Sequence, residues 1–203
     1  MRGDSRNDED DSAFEVVTVN SNAWQTGQGV LEWLHRTGTL PDVLCFQETR
    51  LKSIGNLSSA KAWARARGYD MSGDLAAATG PGLLQSSAGV AIAVSHHIPV
   101  STQRPECFEG STTRLCARCL SVWGGVPLIA ISVYLVTGIG LGGENLALIS
   151  HLIEYVHTLS SMWFIAGDFN MAPEVLSEHD VLQKLGGVLV MTPTMANLWQ
   201  GSP

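Results

Sequence analysis

Gly167-Asp168-Phe169-Asn170 sets a carboxylate and a carboxamide two residues apart, directly after the apolar run Met162-Trp163-Phe164-Ile165-Ala166. In extended backbone, residues i and i+2 share a face, so Asp168 and Asn170 are expected to point the same way from a strand's carboxyl end. A carboxylate beside a neutral amide suits holding a metal, orienting a water and contacting a phosphate oxygen. Taken alone, the stretch reads equally well as an Asx-rich turn closing a strand. Two more clusters change the balance. Asn20-Ser21-Asn22 follows the β-branched run at residues 14–19, and Gln47-Glu48-Thr49 follows Val43-Leu44-Cys45-Phe46. Open α/β architectures build sites where loops from separate strand ends converge. An amide, a carboxylate, then a carboxylate with an amide is a set suited to a hard divalent cation that keeps most of its waters.

The elements that must position these groups are legible as patterns. Residues 14–19 and 43–46 read as strands, and Gly89-Val90-Ala91-Ile92-Ala93-Val94 as a third. Val30, Leu31, Trp33 and Leu34 form a helical stripe that Gly38 stops. Residues 61–67 read as a helix ending at Gly68, and residues 76–87, rich in Gly, Ala and Ser, as a loop. Residues 120–123 and 127–134 around Gly124-Gly125 predict a β-hairpin. Residues 144–159 predict an amphipathic helix, 162–166 a strand, 173–185 a helix and Val188-Leu189-Val190 a last short strand. Strands and helices alternate, yet the hairpin interrupts the rhythm. That favours a mixed sheet, or two packed sheets with helices outside, over a purely parallel sheet.

Composition bounds the function. The 203 residues are 45% hydrophobic and 15% charged, which suits one globular domain with a sizeable core. We expect residues 1–13 to form an acidic, disordered tail (Asp4, Asp8, Glu9, Asp10 and Asp11) and residues 14–203 the domain itself. The formal net charge of −7 argues against a simple nucleic-acid-coating module but not against a metal-dependent enzyme. No run is long and apolar enough for a bilayer span, so no membrane association is expected. The first residues carry no secretory signal, which makes an intracellular, reducing compartment the default. Of the four cysteines, Cys45 reads as a reduced core residue. Cys116 and Cys119 have zinc-like spacing but no second pair.

Val19-Asn20-Ser21-Asn22, Pro41-Asp42-Val43-Leu44-Cys45-Phe46-Gln47-Glu48-Thr49, Ser87-Ala88-Gly89-Val90-Ala91-Ile92, Val133-Tyr134 and Gly167-Asp168-Phe169-Asn170 occur in that order. In this the chain resembles the endonuclease/exonuclease/phosphatase (DNase I-like) superfamily from Phe14 to about Val190, and within it the retroelement-type endonucleases most. The resemblance implies an α+β fold of two packed mixed β-sheets with helices on the outside, a four-layer α/β/β/α sandwich. It implies Mg²⁺-dependent phosphodiester hydrolysis, with Mn²⁺ as an alternative ion, on DNA or another phosphodiester substrate. Glu48 then resembles the principal metal-binding carboxylate, with Asn20 beside it arranging metal and phosphate. Asn22 stands where relatives carry Asn or Asp near the phosphate, and Tyr134 matches a tyrosine near the scissile phosphate. Asp168 resembles the carboxylate that activates the attacking water, and Asn170 its partner on a phosphate oxygen.

Two departures are expected to matter. Relatives carry a further carboxylate and a Ser-Asp-His-type motif on closing strands, and this sequence ends at Gln200-Gly201-Ser202-Pro203 before any such motif. The expectation is therefore a C-terminally incomplete sandwich, with its final strands missing and reduced or no activity. The loop after Tyr134, Leu135-Val136-Thr137-Gly138, replaces a proline-containing turn. Alternatives to the nuclease are a catalytically dead remnant that at most binds, and a phosphatase of a small phosphorylated molecule.

Overall fold

The computed structural model describes residues 14–79, 85–101, 113–122 and 125–190. The acidic tail, Cys107 and the final Gln200-Gly201-Ser202-Pro203 lie outside the described residues. The chain divides into two compact units, Met1–Leu135 with Ser160–Phe169, and Val136–Leu159 with Asn170–Pro203.

The first unit is built on sheets. β1 (Val16–Asn20), β2 (Val43–Gln47), β6 (Ala91–Ser95) and β3 (Tyr69–Gly73) form a four-stranded mixed sheet in the order β1-β2-β6-β3. β1 runs parallel to β2, and β6 is antiparallel to both its neighbours. β7 (Leu115–Val122), β8 (Val126–Tyr134) and β9 (Met162–Asp168) form a second mixed sheet, with β7 antiparallel and β9 parallel to β8. β4 (Ala77–Thr79) and β5 (Gln85–Ser87) make a small hairpin.

Strand alternation divides the core in two. Val43 and Cys45 of β2, with Ile92 and Val94 of β6, meet Cys116, Leu120, Leu128 and Ala130 of the other sheet. Leu44, Phe46, Ala91 and Ala93 face the opposite way. They pack on α1 (Trp24–Thr37) through Trp24, Leu31 and Leu34, and on α2 (Ile54–Arg65) through Ala60 and Ala64. A strand buried on both faces should read as an unbroken apolar run, as β2 does. The α+β arrangement of two mixed sheets with helices is thus the one expected. Cys45 is fully buried and free, and burial raises its thiol well above the ordinary value, with Cys116 adding to the effect.

The second unit is helical, with α3 (Gly143–Thr158), α4 (Pro173–Glu178) and α5 (Val181–Leu185). Among the described residues, Leu148, Ile149, Leu152, Tyr155, Val156, Leu176, Val181 and Leu185 are its buried apolar residues. His157 Nε2 lies 2.6 Å from the Lys184 carbonyl oxygen and ties α3 to α5.

Several expected elements differ. The helix read over 173–185 is broken at Asp180, whose φ of 56° is left-handed, giving α4 and α5. Val188-Leu189-Val190 is not a strand, and Val188 is 88% exposed. Among the described residues this short apolar run has no ladder partner to hold it extended. α2 begins seven residues before the expected start at Lys61, because the Ser53 hydroxyl accepts from the Asn56 amide at 3.1 Å and caps it. β3, and the β4–β5 hairpin within the expected loop at 76–87, were not legible. Their ladders, and not their composition, make them strands.

Candidate active site

Two parallel pairings bring the strand ends level. Asn20 is in register with Gln47 at the ends of β1 and β2, and Tyr134 with Asp168 at the ends of β8 and β9. The two sheets are pinned together directly behind this edge by Gln47, which is fully buried. Its amide nitrogen donates to Ser132 Oγ at 3.0 Å, and its amide oxygen accepts from Thr18 Oγ1 at 3.1 Å. Ser21, also buried, locks β1 to β2 by donating from both its amide and its hydroxyl to the Gln47 carbonyl, at 2.9 and 2.8 Å. Buried polar groups satisfied in this way fix one register and no other.

In front of this support, the side chains converge. Asn20 Nδ2 donates to Asp168 Oδ2 at 2.6 Å and to Glu48 Oε1 at 3.3 Å, bridging two carboxylates. Carboxylates only accept when ionised, so the amide must present its nitrogen here. Its oxygen accepts from the Asn22 amide at 3.2 Å. Tyr134 is 6% exposed and donates its hydroxyl to Glu48 Oε1 at 2.6 Å. Arg50 Nη2 lies 3.1 Å from Glu48 Oε2. Burial pushes the Glu48 carboxyl up, but hydrogen bonds from Tyr134, Asn20 and Arg50, with the Arg50 charge, outweigh it. The net result is a carboxyl held below the ordinary value.

The backbone at these ends is strained. Glu48, Arg50 and Asn22 all have left-handed φ, at 52°, 51° and 51°. For a non-glycine residue this conformation is uncommon, and Asn tolerates it best. Glu48 has no such excuse and is held by its neighbours. The Thr49 amide donates to the Gly89 carbonyl at 2.9 Å, and the Arg50 amide to the Ala88 carbonyl at 3.2 Å. Gly89 has φ of 84°, and a Cβ there would stand 2.6 Å from Thr49 Oγ1. Strain that persists in this way is characteristic of functional loops.

The structure therefore gathers Asn20, Glu48, Tyr134 and Asp168, with Asn22 bound to Asn20 through its backbone. Asn170 belongs to the second unit and has φ of 50°. The expectation that Asp168 and Asn170, like Asn20 and Asn22, share a face by strand alternation does not hold. β1 stops at Asn20 and β9 at Asp168, and the second Asn of each pair sits in a left-handed turn. Sequence reasoning missed Arg50, whose only signal was its place two residues after Glu48. It also missed Arg114, whose guanidinium lies 5.1 Å from the Tyr134 ring centroid. Arg118 pairs with Asp70 at 2.6 Å.

The acceptor oxygens of Glu48, Asp168 and Asn20 fit a hard divalent cation. Among the described residues no three His, Cys, Asp or Glu gather. The protein would thus offer one or two carboxylates and leave the remaining positions to water, a donor set that suits Mg²⁺ better than Zn²⁺. In the second unit, Asn145 organises the loop that follows Tyr134. Its side chain is fully buried and bonds the Val136 amide at 2.6 Å, the Val136 carbonyl at 2.9 Å and the Gly140 carbonyl at 2.7 Å.

Comparison with known proteins agrees with this arrangement. The model of the Endonuclease/Exonuclease/phosphatase family matches residues 19–177. An AP endonuclease from Archaeoglobus fulgidus aligns at 21% identity with a TM-score of 0.55, covering 85% of this chain and 70% of that one. The 3' phosphatase NExo from Neisseria, bound to product DNA hairpin, aligns at 20% identity and 0.57 over the same shares of 85% and 70%. TDP2 of D. rerio, complexed with single strand DNA product, aligns at 15% identity and 0.55, covering 87% of this chain and 66% of that one. At these identities the likeness is one of fold. No protein of curated function matches the chain.

Proposed function

Since the chain belongs to the endonuclease/exonuclease/phosphatase family, we propose that it is a Mg²⁺-dependent phosphodiesterase acting as an endonuclease on DNA. The observation that carries this reading is the Asn20 amide bridging Asp168 and Glu48, with Tyr134 on the same Glu48 oxygen. Glu48 and Asn20 would hold the cation, and Mn²⁺ is the natural substitute for it. When bound, the cation supplies Lewis-acid polarisation of a phosphoryl oxygen and a counter-charge for the leaving oxygen.

Asp168 takes the proton of the attacking water. The 2.6 Å bond from Asn20 to Oδ2 holds the orientation of this carboxylate. Tyr134 holds Glu48 in its ionised, oriented state and stands beside the phosphate site. Asn22 and Asn170 are assigned to the phosphate oxygens, roles that left-handed Asn turns suit by exposing short amides.

Plasmid nicking tests this directly. Mg²⁺-dependent nicking is expected, abolished by EDTA and reduced about 10²–10⁴-fold by Asp168→Asn or Glu48→Gln. Nicking undiminished in either variant would sink the assignment. A second reading, phosphate release from a small phosphorylated molecule, is favoured by the net charge of −7, which disfavours long polyanions. Greater turnover of a small phosphomonoester than of plasmid would select it.

A further inference from the structure

Beside the Glu48 corner, wholly within the first unit, a groove of about 370 Å³ runs between the start of α1 and the face of α2. One wall is the strap 49–52 that leaves Glu48. Arg50 belongs to both places, because it lines the groove and touches Glu48 at 3.1 Å. Whatever occupies the groove is therefore next to whatever sits at the carboxylates.

The lining has the composition of a nucleotide site. Trp24, Leu51, Ala60 and Trp63 supply apolar and aromatic surface, and Lys52 and Arg50, the latter beside Glu48, supply positive charge. Gln25, Gln28, Asn56 and Ser59 add amides and hydroxyls able to meet the edge of a base. Trp63 is pre-oriented. Arg67 stacks on it at 3.6 Å, itself paired with Glu32 at 3.1 Å, and Trp24 meets it edge-on at 5.8 Å. Thr49 lines the same wall and is 1% exposed.

The occupant follows from this chemistry together with the net charge of −7. A long duplex held by many phosphate contacts is disfavoured by that charge. A single base against aromatic surface, with its phosphate beside two cations, is not. A base within a duplex must first be unstacked and unpaired to enter a groove, a cost that an already single-stranded base does not carry. We infer that this groove receives one unpaired nucleotide flanking the scissile phosphate, so that single-stranded DNA is preferred over duplex. The inference rests on the phosphodiesterase reading for the words "scissile phosphate", but the groove's ligand can be tested apart from hydrolysis.

The test is fluorescence anisotropy with the full chain and a labelled oligodeoxynucleotide, single-stranded or annealed to its complement, in EDTA. Single strand is expected to bind about tenfold tighter or more than duplex, the scale of one base–aromatic stack. Ser59→Trp, at an exposed position of α2, should fill the groove and bring the two affinities together. Lys52→Ala, also exposed, is the second variant and should weaken single-strand binding several-fold. Equal wild-type affinities overturn the inference. So does an undiminished single-strand preference in Ser59→Trp with an unchanged circular dichroism spectrum. Single-strand preference lost in Ser59→Trp supports it even in a protein that hydrolyses nothing, and that second result would remove the hydrolase reading alone.

Discussion

Glu48 carries the tension of this site. It sits in a left-handed backbone at φ 52°, with a side chain only 17% exposed, yet remains ionised because three donors surround it. Its carboxyl is depressed, so the stability it contributes is present above the ordinary carboxylate value and lost as pH falls through the lowered one. Of the donors that lower it, Tyr134 has the largest effect. Tyr134→Phe removes the 2.6 Å bond and keeps the ring beside Arg114. The Glu48 carboxyl should then titrate at higher pH, and ¹³C NMR of the metal-free variant reads this directly. The acid limb of the activity profile should move the same way. A titration unchanged from wild type would mean that Asn20 and Arg50 suffice.

At the scale of elements, the register of parallel strands decides where chemistry sits. β8 and β9 approach so closely at Val133 and Gly167 that a Cβ on Gly167 would overlap the Val133 carbonyl oxygen and stand 2.8 Å from Val133 Cγ1. Gly167 thus serves the Asp168 position, one residue on. Gly167→Ala should wedge the strands apart, cost about 1–3 kcal/mol in denaturant unfolding, and lower nicking beyond what the lost stability explains. The same reasoning covers the Gly89 turn behind Glu48. The sequence displayed both glycines inside motifs, but the reason they are glycines lies in the facing strand or strap. Helices tell a parallel story. Gly38 ends α1 where expected, with φ of 76°, because a left-handed cap is a local matter. The start of α2 was misjudged, because Ile54 is 75% exposed and leaves no apolar stripe to read.

For the molecule as a whole, the alkaline side gives a clean stability test. Tyr69 is 1% exposed and donates to the Pro41 carbonyl at 2.9 Å, joining β3 to the entry of β2. Burial, and then the charges of Asp42 and Glu15, raise its hydroxyl to about 12. The folded state therefore holds that proton more tightly than the unfolded chain, whose tyrosine titrates near 10. Its contribution is complete below pH 10 and declines as pH rises toward 12. Urea unfolding across that window should show falling stability, and Tyr69→Phe should flatten the slope while losing about 1 kcal/mol at neutral pH. An identical slope in the variant would place the alkaline lability elsewhere.

The sequence by itself determined the chemistry on offer and the strands that end in it. Apolar runs that stop at Asn, Glu and Asp are local facts, and so is the unbroken hydrophobicity of β2, which requires burial on both faces. What only the tertiary structure decided is who meets whom. Asn20 and Asp168 are 148 residues apart, and Tyr134 and Glu48 are 86 apart. Their contacts exist because two parallel registers end level and Gln47 pins the sheets behind them. The left-handed turns at Asn22, Glu48 and Asn170 were equally hidden, since a strained φ is imposed by surrounding hydrogen bonds and not by the residue that bears it.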